Sequence, residues 1–494
     1  MTNNQRSKAT HPDDKLSRRQ AVIGGVAILA GGAIFGSQSR ADGPVGAGTG
    51  GGPDAALPAK DAQQPAPMGQ GYTPVITPNG ATLEWRIVDG WKVGHLVVEE
   101  FDHEFAPGLR AKCWGYNGRT PGPTIEAVEG DRIRIYVTNH LYAPTTIHWH
   151  GIFLPNGMDG VTGLNQAPIP PGATFKYEFT LRQHGTHMYH SHFDEMTQQG
   201  MGLMGMFIIH PRTPAGPRVD RDFAIMLSEW RIDPGTSRPN TNEMTDFNVL
   251  TMNSKAYPGT APLVVKQGDR VRIRFGNLGA MDHHPIHLHG YEFNITETGS
   301  GPLVQAGQQR SNTVLVTVGD TRAIEFVADN PGDWAMHCHM THHTMNQMGH
   351  GTPNMVGIDP DGLDAKVRPL LPGYMTMGEV GMGGMGEMGM KVPANSISMI
   401  GAEGPFGYID MGGMFTILKV RPGITSYEDP GWYKHPARTV ANEATPNELR
   451  RDSINTEQRY APAPRSPAPA KAGHNHGASH STTDEKPSNS RPER

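Results

Sequence analysis

Residues 337–348 read His-Cys-His-Met-Thr-His-His-Thr-Met-Asn-Gln-Met, and no other stretch of the chain limits its fold so tightly. His337 and His339 flank Cys338, His343 stands five residues beyond the cysteine, and Met348 ten beyond. On a β-strand, alternate side chains point to opposite faces. Both flanking histidines then face one way and the cysteine the other, so one strand serves two sites. Cys338, His343 and one further histidine, with Met348 as a weak axial ligand, make the soft trigonal set that selects an electron-transfer copper. His337 and His339 are left to a second metal centre on the opposite face. The short covalent path from Cys338 into its neighbours would connect the two.

Three more histidine pairs complete the pattern. Residues 148–151 read His-Trp-His-Gly, residues 190–192 His-Ser-His, and residues 284–290 His-Pro-Ile-His-Leu-His-Gly. His148/His150, His190/His192 and His287/His289 each have the period of two that places both rings on one strand face. One such pair alone is more often a surface or core feature than a ligand set. Four pairs, one of them built around a cysteine, supply eight imidazoles for a copper cluster. His284 remains to join Cys338 and His343.

These motifs resemble those of the multicopper oxidases, the family of the laccases and cuprous oxidases, over roughly residues 75–365. The resemblance implies a type-1 copper on His284, Cys338, His343 and Met348. It implies a type-2 copper on His148 and His287, and a type-3 pair on His150, His190, His192, His289, His337 and His339, four coppers per subunit equivalent. It further implies one-electron oxidation of a reductant at type 1 and reduction of dioxygen to water at the trinuclear cluster. The fold it implies is all-β: two cupredoxin-like Greek-key sandwiches followed by a Met-rich C-terminal extension.

Composition is consistent with that class. The 494 residues allow two or three domains, and Gly 62 with Pro 42 suits a β-rich chain with many turns. A net charge of −5 argues against nucleic acid as a partner. Of the two cysteines, Cys338 is claimed by copper, which leaves Cys113 as a buried small residue and provides no disulfide framework.

Ser17-Arg18-Arg19-Gln20 precedes an apolar run to Phe35, and Ser39-Arg40-Ala41 offers a small-x-small cleavage site. Residues 1–41 therefore read as a twin-arginine export signal, which places the protein in the periplasm or outside the cell. The apolar run is shorter than the roughly 20 residues that a membrane helix needs, and a retained anchor is the alternative. Residues 42–71 are a Gly/Ala/Pro/Gln-rich linker. Gly268-Asp269-Arg270-Val271-Arg272-Ile273-Arg274 echoes Gly130-Asp131-Arg132-Ile133-Arg134-Ile135. The repeat predicts two sandwiches of one kind, at 72–214 and 219–365.

His148 and Cys338 lie too close in sequence for a middle domain, so the resemblance narrows to the two-domain multicopper oxidases. In that subgroup the trinuclear cluster forms between the first domain of one subunit and the second domain of the next. A head-to-tail contact of that kind closes into a ring, and the subgroup implies a homotrimer. Two-domain copper nitrite reductases share the architecture but carry type 1 in the first domain and a lone type-2 copper between subunits. A copper-free cupredoxin scaffold acting as a binding protein is the non-enzymatic alternative.

Beyond 365 the chain changes character. Met375, Met377, Met382, Met385, Met388, Met390, Met399, Met411 and Met414 lie in Gly-rich sequence in the segment 366–425, and Met196, Met201, Met204 and Met206 follow His192. Two readings stand for them: soft thioether ligands for Cu(I) or a lid over type 1, and flexible apolar filler. Phe415-Thr416-Ile417-Leu418-Lys419-Val420 reads as a closing strand. Residues 426–494 are polar and Pro-rich, which predicts a disordered tail, with His474, His476 and His480 as loose copper ligands at most. Asp159 matches the family's acid near type 2, against the plainer reading of a turn aspartate before glycine. Where many relatives carry a glutamate before the type-1 histidine, this chain has His342, a candidate proton carrier in its place. The reductant is open among phenols, Cu(I) and Mn(II).

Overall fold

The computed structural model describes residues 69–214, 216–233, 235–346, 354–356, 369–370, 375–377, 395, 397 and 401–459. The export signal, Met348, most of the Met/Gly-rich segment and the histidines of the tail lie outside the described residues. Two sandwiches of antiparallel and parallel strands account for most of the described chain, and the only α-helices described are the short segments Glu195–Gly200 and Pro446–Arg451.

The first sandwich packs a sheet of Arg86–Val88, Trp91–Ala106, Leu109–Tyr116, Arg132–Asn139 and Thr174–Thr180 against a sheet ordered Ile125–Val128, Met204–His210, Gly185–His190, His148–His150. Its core holds Leu96, Ile133, Ile135, Val137, Trp149, Tyr189 and Phe207. The alternating run Arg132-Ile-Arg-Ile-Tyr-Val buries every second side chain, the arrangement expected of a half-buried strand. In the second sandwich, one sheet is built on Arg221–Trp230, Arg270–Asn277, Thr321–Val327 and Phe293–Thr298. The facing sheet is ordered Leu263–Lys266, Phe415–Arg421, Gly332–Cys338, His284–Leu288, Thr313–Val316.

The sequence repeat is also a structural one. Asp131 Oδ2 accepts from the Val128 N–H at 2.9 Å, and Asp269 Oδ2 from the Lys266 N–H at 2.8 Å. Gly130 and Gly268 take left-handed φ values of 86° and 95° in the two turns. At the far ends of the equivalent strands, Asn139 Oδ1 accepts from the Leu141 N–H and Asn277 Oδ1 from the Gly279 N–H, both at 2.9 Å.

Two segments cross the expected boundaries. Val75–Ile76 pairs in parallel with Arg221–Trp230, so the second sandwich borrows its edge from the start of the chain. Phe415–Arg421 lies between Leu263–Lys266 and Gly332–Cys338, in the interior of the sheet. The second sandwich therefore takes a strand from beyond residue 365, because the sheet needs a partner on the outer edge of the cysteine strand.

A third apolar cluster joins the two sandwiches. It includes Phe105, Leu109, Cys113, Met188, Met204, Met206, Met226 and Trp230. Met204 and Met206 are buried here, and Met201 lies in the first core. For these three the filler reading holds. Residues 426–459 carry turns and the helix Pro446–Arg451 where composition predicted disorder.

Candidate metal centre

The strands His284–Leu288 and Gly332–Cys338 pair antiparallel, with His287 opposite His337 and Ile286 opposite Cys338. Period-two alternation then divides the histidines as the sequence requires. His284 and Cys338 point into the second core, with no exposed surface. A 3-10 turn at Thr341–Thr344 folds His343 back beneath them, anchored by its own N–H to the Met340 carbonyl at 2.8 Å. Cys338 Sγ stands 3.4 Å from His343 Nδ1 and 3.8 Å from His284 Nδ1, and the two rings are 5.2 Å apart. Three donor atoms converge inside the protein, all within 4.8 Å of one another. Burial holds the His284 imidazole down at about 3, with the neighbouring His343 adding to the effect. Burial also pushes the Cys338 thiol up to about 12, so a thiolate at neutral pH needs a cation beside it. One thiol and two neutral imidazoles, all presenting soft or borderline donors, fit a copper ion.

The remaining eight histidines form two sets of four. His148, His150, His190 and His192 gather at the end of the second sheet of the first sandwich, with ring centroids 5.3 to 6.2 Å apart. His287, His289, His337 and His339 gather on the second sandwich, at 4.8 to 5.8 Å. Their tautomers are set by the backbone. Through Nδ1, His148 reaches the Asp159 carbonyl at 2.8 Å, His190 the Ser191 carbonyl at 2.9 Å, His287 the Asn312 carbonyl at 2.8 Å and His337 the Cys338 carbonyl at 2.9 Å. A ring that donates through Nδ1 keeps Nε2 as a free lone pair for a metal. His150 is reversed. It bonds to the Gly319 backbone of the second sandwich, and its Nδ1 lies 3.3 Å from His190 Nε2.

Donor atoms of His148, His150 and His190 all lie within 4.8 Å of one another. His192 sits close by, but its Nε2 is 3.0 Å from a Glu195 carboxylate oxygen. In the other set, His289 Nε2 and His337 Nε2 are 3.1 Å apart, while His289 and His339 are exposed. Among the described residues, no ring contact and no group of convergent donors joins one set to the other.

Two family models described as multicopper oxidase match residues 97–214 and 233–355, one on each sandwich and each enclosing one set of histidines. The chain belongs to the multicopper oxidase family. Copper resistance protein A of Escherichia coli is 30% identical over 58% of this chain and 56% of its own. Laccase-2 of Botryotinia fuckeliana is 30% identical over 54% of this chain and 51% of its own. The chain thus spans about half the length of the curated relatives it matches. A solved multicopper oxidase, mgLAC, aligns over 69% of this chain and 90% of that one at 28% identity, with a TM-score of 0.49.

The family implies copper. Sequence reasoning missed two carboxylates behind the buried trio. Asp282 Oδ2 lies 3.4 Å from His343 Nε2, and Glu229 Oε2 lies 3.7 Å from His284 Nε2. Glu229 also accepts from the backbone N–H groups of Met281 and Asp282. Burial and the charge of Asp282 raise the Glu229 carboxyl to about 8, while the His343 hydrogen bond lowers Asp282. Asp282 is visible in the sequence two residues before His284. Glu229 carries no such signal, because it reaches the site from the end of a strand far away in sequence. Of the expected proton carriers, Asp159 holds its Oδ1 3.5 Å from His148 Nδ1, and the exposed His342 ring lies 4.5 Å from that of His343. Met348 lies outside the described residues.

Proposed function

We propose that the chain is an exported, laccase-like oxidase that couples one-electron oxidation of a small reductant to reduction of dioxygen to water. The observation that carries the reading is the buried convergence of His284 Nδ1, Cys338 Sγ and His343 Nδ1. These residues, together with Met348, would hold a type-1 copper. His148 and His287 would hold type 2, and His150, His190, His192, His289, His337 and His339 the type-3 pair. Copper supplies the one-electron redox steps and the dioxygen chemistry.

The chain's own residues supply placement and connection. The His337 ring donates to the carbonyl of Cys338 itself, which joins the two faces of one strand by a single hydrogen bond beside the covalent path. The Asp159 carbonyl orients His148, and its carboxylate stands within reach to hold a proton for the dioxygen-reducing site. His342, exposed beside His343, is the second candidate to carry protons. Export by the twin-arginine pathway, to the periplasm or beyond, rests on Arg18 and Arg19.

The separation of the two histidine sets within one chain supports a cluster shared between copies, and the family's two-domain subgroup favours a trimer. The decisive experiment is Cys338→Ser. The variant should lose the intense blue absorption and the oxidase activity while copper held by the remaining histidines persists in spin resonance. Continued turnover by copper-loaded Cys338→Ser protein would remove the assignment. Oxygen uptake with a phenol, Cu(I) and Mn(II) in turn identifies the reductant.

A further inference from the structure

His192 is the one member of the first histidine set that no strand holds. The strands His148–His150 and Gly185–His190 pair with His148 opposite His190, and the second of them ends there. His192 lies two residues past that end. Its ring nonetheless stands 5.5 Å from that of His148 and 6.2 Å from that of His190, tilted only 25° from the latter. Something other than the strand ladder keeps it in place. The helix Glu195–Gly200 follows at once. Six residues are too few for a helix to persist in water without packing. This one begins at Asp194, with a left-handed φ of 44° and no capping side chain.

One residue of that helix is buried, Gln198, at 1% exposed. An amide taken out of water is costly unless its donors and acceptor are matched. Here the match lies among the segments that carry the histidines. Gln198 Oε1 accepts from the Ser191 hydroxyl at 2.5 Å and from the Thr145 hydroxyl at 2.7 Å, and Nε2 donates to the Pro144 carbonyl at 2.8 Å. Ser191 is itself fully buried and lies between His190 and His192. Its carbonyl accepts from His190 Nδ1 at 2.9 Å. Its N–H donates to the Leu203 carbonyl at 3.2 Å, and the Leu203 N–H to the Gln198 carbonyl at 3.0 Å. The His192 N–H donates to the hydroxyl of Thr146, the neighbour of Thr145, at 3.1 Å. A single side chain thus ties the peptide between two histidines to the segment that leads into His148.

Packing alone does not account for an amide at this position. A leucine would occupy much of the same volume, whereas an amide with three partners fixes direction as well as distance. Displacing Ser191 would move, in one step, the carbonyl that sets the His190 tautomer and the main chain that carries His192. We infer that Gln198 is a positioning residue of the first histidine set: through Ser191 and Thr145 it holds His190 and His192 against His148, so that the rings are presented to copper as one unit. This role rests on the assignment of these histidines to copper proposed above.

Gln198→Leu and Ser191→Ala, singly and together in the full copper-loaded protein, test this. Metal analysis with chelator titration reads the copper held outside the proposed type-1 site, and spin resonance reads its ligand geometry. Blue absorption reads the remote trio of His284, Cys338 and His343, and thermal melting reads the fold. Gln198→Leu should keep the blue absorption, weaken binding of the remaining copper by about 10–100-fold and alter its hyperfine splitting. Ser191→Ala should act in the same direction by a smaller factor, since Thr145 still meets Gln198. The pair should cost little more than Gln198→Leu alone, because both changes break one link. Unchanged affinity and splitting in Gln198→Leu would overturn the role and leave the copper assignment intact. A melting temperature that falls and takes the blue absorption with it in proportion would also overturn it, because a residue that serves only the fold acts on both sites alike. Should Gln198→Leu fail to fold, Ser191→Ala, which removes one hydroxyl, decides by the same readouts. A parent that holds no copper outside the proposed type-1 site would end the copper assignment itself, and the role with it.

Discussion

Asp282 and Glu229 set the environment of the two imidazoles that converge on Cys338. A carboxylate behind a metal-bound histidine raises its basicity and fixes its tilt, and losing one typically costs about 10–100-fold in metal affinity. Asp282→Asn removes the partner 3.4 Å from His343 Nε2. Copper affinity at the proposed type-1 site should fall by that order in a chelator titration. The potential should rise, because a nearby negative charge favours Cu(II) over Cu(I). An unchanged affinity and potential would assign Asp282 to folding alone. If Met348 is the weak thioether ligand proposed for the type-1 copper, Met348→Leu should also raise the potential while the blue colour stays. A potential that stays level or drops in redox titration would mean that another group is axial.

At the scale of the element, the strands do two kinds of work. Register presents the histidines, and close backbone packing holds the register. Gly160, at φ 91°, lies so near the strand His148–His150 that an added Cβ would fall 1.7 Å from the Ile147 carbonyl oxygen. Gly160→Ala should cost at least about 1 kcal/mol in urea unfolding, and it should displace the Asp159 carbonyl that orients His148. Full stability with unaltered copper content would show that the turn relaxes without the strand. The strand Phe415–Arg421 is a stronger case. It pairs with the cysteine strand over six positions, from Gly332–Val420 to His337–Phe415. A chain stopped at Gly413 should lose blue absorption and the cooperative unfolding of the second sandwich together. Deletions that probe the methionine segment must therefore leave this strand in place.

For the whole molecule, the contact between sandwiches is part apolar and part ionic. Arg274 is fully buried and bonds Asp222 at 2.8 and 2.9 Å, Glu297 at 3.0 Å and the Thr186 hydroxyl at 2.8 Å. Thr186 lies on the strand Gly185–His190, so the network links the second sandwich to the strand that presents His190. Burial alone would raise the Glu297 carboxyl. The Arg274 and Arg272 charges and the Thr186 hydroxyl outweigh it and hold Glu297 below the ordinary carboxylate range. A carboxyl depressed in the folded state binds its proton more readily when unfolded. Its contribution is therefore present above the ordinary value of 4.5 and is lost as pH falls toward the folded value. Melting temperature should drop on acidification through that window, and Glu297→Gln should flatten the drop. The same profile in variant and parent would place the acid sensitivity elsewhere. Because the variant leaves Arg274 with one buried partner fewer, a loss of a few kcal/mol at neutral pH is expected as well, on the order of 3–5.

Much of this protein was legible in its sequence because its chemistry is periodic. Histidine spacing of two implies a strand face, and the Gly-Asp-Arg repeat implies two copies of one turn and strand. The buried trio His284, Cys338 and His343 follows from which residues remain once the pairs are assigned. These are local rules, and they hold wherever the strand goes. What only the tertiary structure decided involves residues brought together from far apart in the chain. The interior place of Phe415–Arg421, the edge strand Val75–Ile76 and the Glu229 carboxylate behind His284 leave no local trace, because any apolar strand or buried acid reads the same before it is packed. Met204 and Met206 read equally well as copper ligands or as filler until the second sandwich was seen to close over them, since thioether chemistry and thioether bulk are written with the same residue.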